Sequence, residues 1–197
     1  DTDPSNKLIF FLLGSFSILI LGAVDDRFNI KATVKLFFQI VIAAGMFYAG
    51  IAFDDLLGIT LPPLINFCVT VFWIVLLINA FNLIDGMDGV CAGLGVVSSL
   101  SLGILLLLLN QPIKACILFI LAGSCLGFLK YNFHPASIFL GDAGSMFIGF
   151  IIATLSLSGD VNKSAIISIL VPLLIVGIPI FDVILAVWRR VARRILN

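Results

Sequence analysis

The chain has 197 residues, of which 61% are hydrophobic and 11% charged, with a formal net charge of zero and a mean hydropathy of +1.25. Soluble domains carry roughly 25% charged residues, so this composition excludes an ordinary soluble protein and points to a bilayer. The neutral balance by itself selects no partner, and nucleic acid is not expected among them.

Seven apolar stretches follow in chain order: Leu8 to Val24, Val34 to Phe53, Leu61 to Phe81, Val90 to Leu109, Ile113 to Leu129, Met146 to Leu157 and Ala165 to Val187. Most are long enough to cross about 30 Å of hydrocarbon as helices, and the sixth is short. The expected fold is all-α, a polytopic transmembrane bundle of about seven spans with no sheet core, formed by a single integral-membrane domain over residues 1–197. No repeat, linker or low-complexity tract divides it. The chain starts at Asp1 without signal-peptide character and stops at an Arg-rich segment, so a piece of a longer membrane protein is expected. Cys68, Cys91, Cys116 and Cys125 form no C-x-x-C pair and read as small membrane hydrophobes.

Charge is distributed unevenly. The ends after the first, third, fifth and seventh stretches hold Arg27, Lys31, Lys35, Lys130, Arg189, Arg190, Arg193 and Arg194, against Lys7, Lys114 and Lys163 on the other side. The positive-inside rule makes the richer side cytoplasmic. All eleven acidic residues are Asp, and Asp25, Asp26, Asp85, Asp88 and Asp142 fall at three ends on that same side. A transporter is expected to place ionisable groups near the bilayer midplane. Acids gathered at one face suit a site that takes one substrate from the cytosol and another from the lipid.

Three motifs build this face. Asp25-Asp26 is followed by Lys35, either a positive-inside anchor or a point charge for a phosphate, and by Gln39. In N-A-F-N-L-I-D-G-M-D-G, Asn79, Asn82, Asp85 and Asp88 recur every three residues, a slowly drifting stripe on a helix that Gly86 and Gly89 should end past Asp85. End-capping accounts for one or two of these four groups, and an EF-hand is excluded by spacing. In Y-N-F-H-P-A-S-I-F-L-G-D-A-G-S, Pro135 breaks a helix and Asp142 precedes an apolar one. Asp142 is either its N-cap or an oxygen ligand for Mg²⁺. His134, the single histidine, is weak evidence for chemistry, and Gly89-x-x-x-Gly93 reads as a helix-packing pair.

Together these motifs, in this order, resemble the polyprenyl-phosphate N-acetylhexosamine-1-phosphate transferases over essentially the whole chain. The resemblance implies Mg²⁺-dependent transfer of a sugar 1-phosphate from a UDP-N-acetylhexosamine to undecaprenyl phosphate, releasing UMP, with Mn²⁺ as a substitute metal. It implies a multi-pass protein of the bacterial inner membrane with a cytoplasmic active site, and is compatible with a homodimer. Asp25, Asp26, Asn82 and Asp142 would be catalytic, with Asn82 and Asp142 holding the metal. Lys35, with Asp25 and Asp26, would meet the lipid phosphate; Asp85 and Asp88 would face the nucleotide sugar; Asn132 and Phe139 would contact uracil. The wording N-L-I-D-G-M-D-G is more similar to the GlcNAc-1-phosphate branch than to the phospho-MurNAc-pentapeptide enzyme. The resemblance also implies further N-terminal spans and a His-rich loop beyond the Arg-rich end, which are expected outside these 197 residues. A CDP-alcohol phosphotransferase is excluded because its Arg and downstream acids are missing after Asp88-Gly89, and an ion or anion transporter stands as the non-enzymatic alternative.

Overall fold

The computed structural model describes residues 4–53 and 60–157. They form six helices and, among the described residues, no strand: α1 (Pro4–Phe28), α2 (Ala32–Tyr48), α3 (Pro63–Ile84), α4 (Val90–Leu108), α5 (Pro112–Asn132) and α6 (Gly141–Leu157). The all-α bundle is as expected. Each of the first six apolar stretches coincides with a helix. Four helices, α1, α3, α4 and α5, are long and apolar enough to cross a membrane, while α2 and α6 are shorter apolar helices. The seventh stretch, with the Arg cluster after it and Asp182 inside it, lies outside the described residues.

Local chemistry explains the boundaries. Pro63 and Pro112 occupy first-turn positions of α3 and α5, where a missing N–H costs nothing. Asp85 ends α3, and Gly89, at φ +73°, turns the chain into α4, as the Gly86/Gly89 spacing predicts. Gly141, at φ +70°, starts α6 five residues earlier than the hydropathy suggests.

The helix α6 is the central post. It is buried along most of its length and packs chiefly on α1 and α3, while α4 packs on α5. Phe81, Phe150, Ile18, Ile74, Leu77, Ile78, Leu118, Met146 and Ile152 are fully buried between these helices. Close approach depends on small residues. A Cβ on Gly149 would sit 2.7 Å from the Leu77 carbonyl oxygen, and one on Gly103 would sit 2.8 Å from the Phe119 ring. The Gly89/Gly93 pair does not serve this purpose, since nothing approaches Gly93 within 4 Å. The small stripe of α4 is instead Gly95, Ser99 and Gly103, which begins two residues after Gly93 and so lies on another face of the helix.

Outward faces of α1 and α2 expose Leu8, Leu12, Phe16, Phe37 and Val41, residues that a bilayer would solvate. This is a multi-pass membrane protein. Connectivity brings the ends of α1, α3 and α5 and the starts of α2, α4 and α6 to one end of the bundle.

Candidate active site

At that end, the side chain of Lys35, from the first turn of α2, is the hub. Its Nζ donates to Asp25 Oδ2 on α1 at 2.5 Å and to Asp142 Oδ2 on α6 at 2.6 Å. Asn82, in the last turn of α3, presents Oδ1 3.5 Å from the same ammonium and donates through Nδ2 to Asp142 Oδ1 at 2.8 Å. Four helices therefore meet through four polar side chains separated by up to 117 residues between Asp25 and Asp142 in sequence. Asp25 is buried, and its other oxygen accepts the Ile30 backbone N–H at 2.9 Å, which fixes the turn between α1 and α2. Ser145, one turn along α6, accepts the second hydrogen bond of Asn82 at 3.1 Å. Its place three residues after Asp142 in G-D-A-G-S is the signal that could have marked it.

Asp26, next to Asp25, points the other way. Its two carboxylate oxygens accept the backbone N–H groups of Asp142 at 2.7 Å and Ala143 at 3.1 Å. Asp142 therefore sits in the first turn of α6 and does not cap it; an acid from a different helix does.

A second polar group joins the α3–α4 and α5–α6 loops. Asp88 Oδ2 accepts the Ala136 N–H at 3.2 Å and lies 3.0 Å from His134 Nδ1. These hydrogen bonds, that to the Ala136 backbone first, hold the Asp88 carboxyl below its ordinary range. Asn132 is buried, accepts the Gly89 N–H at 3.0 Å and donates to the Ile138 carbonyl at 2.9 Å. Phe139 is 74% exposed, a free ring beside this clasp. Asp85, the residue after the last turn of α3, lies beside the first group, at the start of α6. Burial pushes its carboxyl up to about 6, opposed by a hydrogen bond from the Gly141 backbone and aided by the charges of Asp142 and Asp26.

All nine residues singled out in the sequence thus lie at one end of the bundle, in two groups. Lys35, Asp25, Asn82 and Asp142 bond to one another, with Asp26 beside them on the α6 backbone. Asp88 and Asn132 bond within the loop clasp. Below the cluster, Gln39 accepts at 2.6 Å from Asn79 Nδ2, so the polar stripe of α3 continues inward to a fully buried partner on α2.

Among the described residues, no three His, Cys, Asp or Glu side chains converge as a metal cage. Two carboxylates and an amide oxygen do converge on one cation, the Lys35 ammonium. Mg²⁺ is commonly held by one or two carboxylates, with waters and substrate phosphates completing its shell. The hard oxygen donors of Asp142 and Asn82 fit that requirement.

Residues 8–160 match the profile of glycosyl transferase family 4. A Bacillus subtilis protein named probable undecaprenyl-phosphate N-acetylglucosaminyl 1-phosphate transferase is 38% identical over 198 residues, covering 95% of this chain and 54% of the relative. The decaprenyl-phosphate N-acetylglucosaminephosphotransferase of Mycobacterium leprae is 34% identical over 87% of this chain and 50% of its own length. The undecaprenyl-phosphate alpha-N-acetylglucosaminyl 1-phosphate transferase of Escherichia coli is 30% identical, over 89% and 51% respectively. The chain spans about half the length of the curated relatives it matches.

Proposed function

The chain belongs to glycosyl transferase family 4, and from that premise we propose that it transfers N-acetylglucosamine 1-phosphate from its UDP-linked donor to undecaprenyl phosphate, releasing UMP. The observation that carries this is the Lys35 hub, which gathers Asp25, Asn82 and Asp142 at one end of the bundle. The names of the relatives favour the GlcNAc branch over the MurNAc-pentapeptide branch.

The chemistry joins two anions. An oxygen of the lipid phosphate attacks the sugar-bearing phosphorus of the donor; the P–O bond to the bridging oxygen breaks, and that oxygen leaves with UMP. A phosphate monoester has a second pKa near 6, so at pH 7 it is mostly dianionic and needs no base to free its nucleophile. Charge repulsion and positioning are the obstacles that remain.

Asp142 and Asn82 are the residues that would hold Mg²⁺, which when bound neutralises the donor pyrophosphate. Lys35 supplies a fixed positive charge for the lipid phosphate, and Asp25 sets its direction. In this reading Asp85 and Asp88 face the nucleotide sugar, with Phe139 and Asn132 on the uracil side. The exposed Phe139 ring gives a base a surface to stack on. The site opens to the cytoplasm of a bacterial inner membrane. That orientation is supported by Arg27, Lys31, Lys35 and Lys130 lying at the polar end, against Lys7 and Lys114 at the other.

The test is UMP release by the full-length protein in nanodiscs, with undecaprenyl phosphate and a panel of UDP-sugars, with and without Mg²⁺. UDP-GlcNAc should support release that needs both the lipid and the metal. Release without lipid would show a hydrolase, and no release with any donor would refute the proposal.

A further inference from the structure

The second acid of the Asp25-Asp26 pair bonds to backbone and to no other side chain of the cluster. We propose that Asp26 is a positioning residue, an external cap that holds the first turn of α6 and thereby places the Asp142 carboxylate. The assignment deepens the transfer reaction proposed above and rests on it for the role of Asp142.

Three independent features of the geometry meet at this contact. The first is the hydrogen bonding itself: both Asp26 oxygens are engaged by consecutive N–H groups of α6, those of Asp142 and Ala143. The first four N–H groups of a helix lack intrahelical partners and the helix end carries partial positive charge, so a carboxylate there is strongly favoured. The second is Gly141. Its φ of +70° suits glycine, and a Cβ there would stand 2.9 and 3.0 Å from the two Asp26 oxygens. The third is Gly22, one turn before Asp26 on α1, where a Cβ would collide with the Ala143 backbone. Two glycines on two helices thus clear the space in which one carboxylate reaches one helix end.

The consequence concerns Asp142. That residue is exposed to pulls from Lys35 and Asn82 on one side, and its backbone N–H is fixed by Asp26 on the other. A helix N-terminus is also an anion site. Here the Asp26 carboxylate already fills it, so the cationic group left to meet the lipid phosphate is the Lys35 ammonium.

Capping and charge make different demands, which allows a test. Asn keeps one of the two acceptor oxygens that Asp26 uses, and so one of the two N–H contacts, whereas a role in charge is lost equally in Asn and Ala. Mn²⁺ binding to the full-length protein, followed by EPR of the free ion, is the primary readout. Asp26→Ala should weaken binding at least about tenfold, in the range seen when an outer partner of a metal ligand is removed, while Asp26→Asn, which keeps one of the two contacts, should weaken it clearly less, by about threefold. Gly141→Ala keeps the carboxylate but blocks its approach, and should weaken binding like Asp26→Ala; it decides the matter if the latter does not fold. In the UMP assay, Asp26→Asn should leave the KM for undecaprenyl phosphate within about twofold. Wild-type Mn²⁺ affinity in Asp26→Ala, equal losses in the Asn and Ala variants, or a large rise in lipid KM for Asp26→Asn would each overturn the assignment. A wild-type protein that releases no UMP yet shows the predicted order of Mn²⁺ affinities would refute the transfer reaction and leave the cap standing.

Discussion

The two polar groups at the end of the bundle are built differently. The cluster around Lys35 is made of residues on helices α1, α2, α3 and α6, shielded enough that the Lys35 side chain is only 15% exposed and that of Asp25 only 8%. The clasp around Asp88 and His134 is made of loop residues and the last residue of α5, Asn132, and the His134 side chain is 83% exposed. A charge among helix ends is held by packing that is already required for the bundle. A hydrogen-bonded pair in open loops competes with water for its partners. In the proposed reaction the cluster is the fixed half of the site, and the clasp is the half that would adapt to a nucleotide.

Removing the hub should have the largest effect. Lys35→Met leaves the carboxylates of Asp25 and Asp142 facing each other without a cation, and UMP release should fall at least about a hundredfold, comparable to deleting one preorganised charge-stabilising group. A fall of only a few fold would break the claim that the cluster is the fixed half.

Within the clasp, Asn132→Ala comes next. It orphans the Gly89 N–H and the Ile138 carbonyl, and should cost about 1–3 kcal/mol of stability in a denaturation experiment. The donor KM should rise with it. If stability fell while the donor KM stayed constant, the clasp would not border the nucleotide.

Asp85, beside the cluster at the start of α6, provides a test by pH. Its folded-state pKa of about 6 lies above the ordinary value of 3.8. The stability its neutral form contributes is therefore complete below about pH 4 and lost as pH rises through about 6. Asp85→Asn should raise the melting temperature at pH 7.5 and give no gain at pH 4. A gain of equal size at both values would mean that burial of the charge is not its cause.

His134→Ala should have the smallest effect, within about 1 kcal/mol of wild-type stability, because the pair is largely exposed. A larger loss would show that the clasp is as rigid as the cluster.

Much of this architecture was legible in the residues. Hydropathy located each described helix, and Gly86 with Gly89 marked the end of α3. Counting spans alone placed Asp25, Asp85, Asp88 and Asp142 at the same end. What could not be read was pairing. Nothing in the spacing tells that Lys35 bonds Asp142, 107 residues away, or that Asp88 meets His134 across 46 residues, because tertiary contact is set by helix packing and not by local period. The two adjacent acids Asp25 and Asp26 looked equivalent for the same reason. They diverge because neighbouring positions on a helix point about 100° apart, one toward Lys35 and the other toward the start of α6. The Gly89/Gly93 expectation failed because a small-residue pair packs only where a partner helix lies against it.

The most direct test of the central claim is a Mg²⁺ titration of UMP release, with undecaprenyl phosphate and UDP-GlcNAc, comparing wild type with Asp142→Asn. The predicted result is a Mg²⁺-dependent wild-type rate and a variant at least about a hundredfold slower that needs more Mg²⁺. A variant with the wild-type rate and the wild-type metal dependence would contradict the assignment of Asp142, and with it the site built around Lys35.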